Sequence, residues 1–447
     1  MMTLRTSART RLRLVSKLLA SLACLAAIWY FVRLDPERSV ETGATLFPRD
    51  VDPPLSSKTE MEIAALEESI RQKPPNPATQ IRLGQAYLQK ARASIDPMYL
   101  SKAEALFKSA LEMNSGDFRA IAGIGSICLS RHEFRDAIGW GERGLAINPW
   151  SSELYGILGD ANVELGDYAR AVQLFQKMVD LKPQLSSYSR VSYMRELHGD
   201  LGGAIDAMKM AVSAGGVQRE NTAWARVHLG NLYINSGDYR SAEREFEAAL
   251  TGVPEYMHAY AGLANLRIAQ GRQRDAVELY KRVVETMRLP SYRIVLADLY
   301  DATGQPELAR REYGVIKEIE SFNRANGKDT EAELILFAAD QDDNIDEVLA
   351  SARHQFERQP NIKITDALAW CLYKARQFAA AKTTIDQALA LGTKDPLMLY
   401  HAGMIHLSLG ERENAKKYLA EALSINRHFS IRHAPEAVRT LQELGGE

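Results

Sequence analysis

The chain has 447 residues, with 55 Lys+Arg against 57 Asp+Glu, 46% apolar residues, 25% charged residues and 3 Cys. That make-up is too apolar for wholesale disorder and too poor in cysteine for a disulfide scaffold. A formal net charge of −2 gives no electrostatic footprint for nucleic acid.

The charge is unevenly spread. Residues 1–34 hold six basic residues (Arg5, Arg9, Arg11, Arg13, Lys17 and Arg33) and no acid. Residues 1–13 read as a basic tail. Leu18–Val32 then runs for fifteen residues without a charge. Widened to residues 14–34, the segment is long enough to cross a bilayer core, at about 31 Å of helix, and Lys17 and Arg33 can snorkel to headgroups. Trp29 and Tyr30 stand where an interfacial aromatic belt would be.

An uncleaved signal anchor fits this pattern. The bulky stretch Ile28–Arg33 makes a poor cleavage site, and Ser21-Leu22-Ala23-Cys24 matches a lipoprotein signal only weakly. An arginine-rich, acid-free start is also a property of mitochondrial presequences. Basic charge ahead of the apolar run places the N-terminus in the cytoplasm and the rest outside it, in the periplasm if the source is bacterial. Residues 35–58 contain Pro36, Pro48, Pro53 and Pro54 and read as an extended spacer.

From about Met61 the chain repeats itself. A small residue is followed twelve positions later by alanine at Gly125/Ala137, Gly159/Ala171, Gly230/Ala242, Ala264/Ala276, Ala297/Ala309 and Gly403/Ala415. The interval is 34 residues from Gly125 to Gly159, from Gly230 to Ala264 and from Ala369 to Gly403. Aromatics recur sixteen positions after the small residue at Phe175, Phe246, Tyr280 and Tyr313. Prolines close units at Pro149, Pro183, Pro254 and Pro360. The Gly-Asp pairs at 166–167, 199–200 and 237–238 supply a left-handed turn and then a helix start.

These residues resemble the tetratricopeptide repeat (TPR), a 34-residue helical hairpin. The resemblance spans Met61 to Asn426, about four fifths of the chain. It implies an all-α fold: a right-handed α-solenoid of about ten TPR hairpins over residues 59–430, with a polar capping helix in 431–447 and the transmembrane helix in front. The final units also resemble those of bacterial membrane-anchored repeat proteins. Intervals longer than 34 residues predict slack at about Ala93–Leu100, at Gly215-Gly216 and at Asn326-Gly327. The close Asn426–His433 lacks the usual proline.

No chemistry-bearing motif appears. Phosphate loops, HExxH, CxxC and GxSxG are missing from the sequence, so no catalytic, cofactor or metal residue is assigned and the chain is read as a non-enzyme. Cys128 and Cys371 lie more than 240 residues apart, on units that an open solenoid keeps from touching. His401/His406 and His428/His433 would meet only if the last helices folded back, and structural roles are preferred for them. Asp340, Asp342, Asp343 and Asp346 read as a solvated turn.

The resemblance implies a concave groove lined by the residue just after each small position. Those residues include Asp160, Tyr193, Asn231, Asn265, Asp298 and Trp370, with Tyr373 beside the last. Asn231 and Asn265 can hydrogen-bond a peptide backbone, or simply tie adjacent helices. Trp370 and Tyr373 are possible apolar anchors. Val227 replaces the lysine of a carboxylate clamp. The expected function is a membrane-tethered scaffold for a protein or peptide segment. The alternatives are a subunit for extracytoplasmic assembly, of the cytochrome maturation or envelope type, and the regulatory repeat array of an enzyme. No motif specifies an oligomeric state.

Overall fold

The computed structural model describes residues 55–73, 76–94, 96–216, 220–287, 289–325, 331–341 and 344–445. The chain divides into Met1–Asp52, which lies outside the described residues, and Pro53–Glu447. The expected anchor at 14–34 and most of the spacer lie outside them too, as do Asn326-Gly327, Asp342 and Asp343. Among the described residues no helix is long and apolar enough to cross a membrane.

The described elements are all helical. A leading helix α1 (Leu55–Gln72) begins inside the expected spacer, four residues before the predicted repeat boundary. Ten hairpins follow. The first five are α2 (Pro77–Ser94) with α3 (Met98–Met113), α4 (Phe118–Ser130) with α5 (Phe134–Ile147), α6 (Ser152–Glu164) with α7 (Tyr168–Leu181), α8 (Leu185–Leu197) with α9 (Leu201–Ser213), and α10 (Glu220–Asn235) with α11 (Tyr239–Gly252). The second five are α12 (Met257–Ala269) with α13 (Gln273–Thr286), α14 (Pro290–Ala302) with α15 (Pro306–Ala325), α16 (Ala332–Asp340) with α17 (Ile345–Arg358), α18 (Ile362–Lys374) with α19 (Phe378–Ala388), and α20 (Pro396–Ser408) with α21 (Arg412–Ile425). A final helix, α22 (Ala434–Glu443), caps the array.

At several small positions an aromatic ring lies over the backbone. A Cβ on Gly230 would sit 2.6 Å from Cζ of Phe246, and one on Gly159 would strike Phe175. The partner is therefore the residue sixteen positions on, rather than the alanine twelve on. Gly403 faces Leu419 at the same spacing. Gly84 faces Phe107, twenty-three positions on, because slack between α2 and α3 adds seven residues. Alanines 137, 171, 242, 276, 309 and 415 are each fully buried, where a larger side chain would force the hairpin apart.

The hairpin turns follow from local chemistry. Gly166, Gly199 and Gly237 take φ of +76°, +73° and +77°. The next residue caps helix B: Asp167, Asp200 and Asp238 accept from the backbone N–H groups of Arg170, Gly203 and Ser241. His132 and Arg376 occupy the same turn position at φ +60° without being glycine, a strained choice.

The array also closes on itself, which the expectation of an open solenoid missed. The Asn361 amide donates to Glu164 at 2.7 Å, and the backbone N–H of Ile362 donates to the Tyr168 hydroxyl at 2.6 Å. The Thr393 hydroxyl donates to the carbonyl of Leu197. Units some 195 residues apart thus touch, and one continuous apolar cluster joins Phe175, Met194 and Leu197 to Ile364, Leu368 and Met398. Cys128 and Cys371 are nonetheless both free thiols, and both are buried.

Candidate binding face

The sequence-predicted groove residues fall on the first helices of their hairpins. Asp160 on α6 is taken by the neighbouring unit: Nε of Arg190 donates to Oδ1 at 2.7 Å and Nη2 to Oδ2 at 2.5 Å. Tyr193 on α8 is half-buried against the shared apolar cluster. Burial, then the charges of Glu164 and Glu196, push its hydroxyl well above the usual phenol range. Asn231 on α10 is half-buried, and Asn265 on α12 is exposed. Asn265 accepts from the Tyr280 hydroxyl at 2.6 Å, which leaves its amide N–H groups to donate. Asp298 on α14 accepts from the Tyr313 hydroxyl and from Nη2 of Arg432, both at 2.9 Å.

Trp370 on α18 is 3% exposed. Its Nε1–H donates to Oδ1 of Asp340 at 2.8 Å. Its ring stacks on Tyr373 at 4.6 Å and on His401 at 4.2 Å. Asp340, expected in a solvated turn, is instead half-buried at the end of α16 and also contacts Nε2 of His433 at 2.8 Å. Burial pushes its carboxyl up, but the hydrogen bond and charge of His433 outweigh that and hold it below its ordinary value.

The last helices do fold back. His433 lies within 6.1 Å of His401, centroid to centroid, and Nδ1 of His401 contacts Asp366 at 2.9 Å. Among the described residues no three His, Cys, Asp or Glu side chains are placed to hold a metal.

Charges on this inner face meet across the coil. Lys363 lies in electrostatic reach of Glu164, Glu196, His228, Glu331 and Asp395, which come from five different units. Burial, reinforced by repulsion from Asp395, pushes the Glu196 carboxyl up to about 7. Burial, then Lys363 and His258, holds His228 down to about 4. Burial pushes the Cys128 thiol up to about 11 and Cys371 up to about 12, so neither is a thiolate at neutral pH. Arg190, Tyr313, Asp340, Arg432 and His433 were not among the predicted site residues. The sequence signals for the last two were the irregular close at Asn426–His433 and, for His433, its spacing from His428.

A stack of hairpins with this glycine–aromatic spacing defines a repeat protein of the helical-hairpin class. Tetratricopeptide repeat models match residues 152–185, 228–293, 290–313 and 397–429, and the chain carries these repeats. It is similar to cellulose synthase 1 operon protein C of Komagataeibacter xylinus, 24% identical over 262 residues, which are 57% of this chain and 17% of that protein. It is also similar to tetratricopeptide repeat protein 36 of Homo sapiens, 30% identical over 125 residues, 26% of this chain and 65% of that protein. The chain thus spans less than a fifth of the first relative's length. Among solved structures, a human IFIT1 dimer with PPP-AAAA aligns at a TM-score of 0.49 and 15% identity, covering 83% of this chain and 77% of that one.

Proposed function

We propose that the chain is a non-catalytic scaffold, tethered to a membrane through residues 14–34, that binds a protein or peptide segment along its inner helix face. The observation that carries this reading is the inner face itself. Successive first helices present polar side chains there, and a non-helical stretch of the same chain already lies on it. Exposed Asn265 and half-buried Asn231 offer amide donors and acceptors to a backbone without selecting its side chains. Tethering raises the effective concentration of scaffold at the membrane and tolerates weak contacts. Nucleic acid is not the proposed ligand, because the chain lacks net positive charge. A role in extracytoplasmic assembly is the form this activity takes if the anchor exports the repeats.

The test is photo-crosslinking in living cells from Asn231 and Asn265, with Glu247 on a second helix as the control position. Discrete adducts from a probe at each asparagine in turn, weakened when the other asparagine is replaced by alanine at unchanged helicity, support the reading. Adducts no different from those at Glu247 refute it. Carbonate-resistant membrane retention that depends on residues 14–34 tests the tether.

A further inference from the structure

The non-helical segment between α21 and α22 touches four hairpins. His428 lies against the turn at Gly271, between α12 and α13. Ile431 packs on the apolar cluster that contains Tyr280, Leu296 and Leu299. Arg432 donates to Asp298 at 2.9 Å and to the Tyr313 hydroxyl at 3.2 Å. His433 contacts Asp340 at 2.8 Å and stacks on Tyr400 at 4.9 Å, and Phe429 packs on the same tyrosine at 5.9 Å.

The segment differs from the repeats in how it is held. Phe429, Ser430, Ile431 and Arg432 are all half-buried, whereas the repeat alanines beneath them are fully enclosed. Its internal backbone bonds are short turns, Phe429 N–H to Asn426 and Ala434 N–H to Ser430, so no helical ladder fixes it in place. The unit it closes also lacks the proline that ends its neighbours.

We propose that Asn426–His433 is a resident occupant of the binding face, and that the partner it stands in for is a protein segment carrying an aliphatic residue followed by arginine. This deepens the scaffold reading and rests on it. The chemistry of the receptor sets the partner. Asp298 is mostly enclosed, with its side chain 17% exposed. Once Arg432 leaves, Asp298 keeps the Tyr313 hydroxyl, which also reaches Asp301, and a second cation restores the charge-assisted bond. Arg432 makes both contacts through Nη2, and a guanidinium, more weakly hydrated than an ammonium, loses less on entering this mostly enclosed site. The apolar surface under Ile431 would likewise be bared and calls for an aliphatic side chain beside that cation. An occupant on the same chain competes at high effective concentration, so the free face is a minor state and a partner's apparent affinity falls in proportion.

The experiment uses the full chain and a fluorescein-labelled peptide of residues 426–436, followed by fluorescence anisotropy. Arg432→Ala in the protein should bind the peptide at least tenfold more tightly than the unaltered chain. Adding Asp298→Ala should abolish that gain, and a peptide with Ile431 and Arg432 both replaced by aspartate should not bind. Equal titrations for the unaltered chain and Arg432→Ala, or binding indifferent to Asp298→Ala, overturn the proposal. Circular dichroism melting checks the fold. If Arg432→Ala does not fold, Ile431→Ser replaces it as the opening variant, and failure of both to fold shows the segment to be structural and also overturns the proposal. Failure here together with specific crosslinks at Asn231 and Asn265 removes the resident occupant and leaves the scaffold reading standing. Absence of those crosslinks removes the scaffold reading itself.

Discussion

Gly166→Ala tests whether the coil closes. Gly166 has φ +76°, and a Cβ there would lie 2.8 Å from the carbonyl oxygen of Pro360, on a hairpin almost 200 residues away. The left-handed conformation alone costs an alanine roughly 1–2 kcal/mol. Separating two backbones packed that closely adds roughly 1–3 kcal/mol, the usual range for overpacking. The expected loss is therefore about 2–5 kcal/mol. Gly237 supplies the control: its φ is +77°, but nothing lies within 4 Å of the same Cβ position, so Gly237→Ala should lose only the conformational part. Urea unfolding followed by far-UV circular dichroism gives both values, with the midpoints compared directly because repeat arrays depart from two-state behaviour. Equal losses at Gly166 and Gly237 would refute the contact between successive turns of the coil.

Arg376→Gly should act in the opposite sense. This exposed arginine sits at φ +60° in a hairpin turn, and relief of that strain, less glycine's extra unfolded-state entropy, should add about 0.5–1 kcal/mol in the same unfolding assay. Ala242→Leu enlarges a fully enclosed position and should cost about 1–3 kcal/mol, with an unchanged melting curve counting against the alignment. Glu196→Gln should stabilise the chain at pH 8 and not at pH 4. The folded carboxyl titrates near 7 against an ordinary 4.5, so its share of stability is greatest below 4.5 and falls as pH rises through 7. The gain at pH 8 is on the order of 1–3 kcal/mol, and a pH-independent difference would contradict the burial of this group.

The repeats were legible because their cause is local. The pairing of Gly159 with Phe175, and of Gly230 with Phe246, is set within one hairpin, so its sixteen-residue spacing stands in the sequence. The seven residues of slack after Gly84 likewise predicted an offset that Phe107 shows. Closure of the coil has no such mark. It depends on small rotations accumulated over about six hairpins, each too slight to be encoded in a motif. That is why Glu164 and Asn361, or Leu197 and Thr393, could not be paired from sequence, and why distant units were expected to stay apart. The position rule put Asp298 and Trp370 on the first helices of their hairpins. It could not show that Arg432 and His433 would cover them, because a missing proline after α21 says where a pattern stops and not where the chain goes next.

The charge pattern of the inner face follows from that closure. In an open solenoid Glu196 would look into bulk water and titrate near its ordinary value. Here Asp395 and Lys363, both carried by hairpins from the far end of the array, face it across a narrow interior, and burial dominates. The turn that brings them together is the one at Gly199, where an added Cβ would clash with the carbonyl oxygen of Gly392. Gly199→Ala should therefore do more than destabilise. By prising the two turns apart it should let water reach Glu196 and move its titration down from about 7 toward the ordinary carboxylate range, as read by carboxyl-carbon NMR. The folded fraction must be confirmed by circular dichroism in the same sample. A Glu196 that still titrates near 7 in folded Gly199→Ala would mean that its environment is made within its own hairpin, and that closure of the coil does not govern the electrostatics of the binding face.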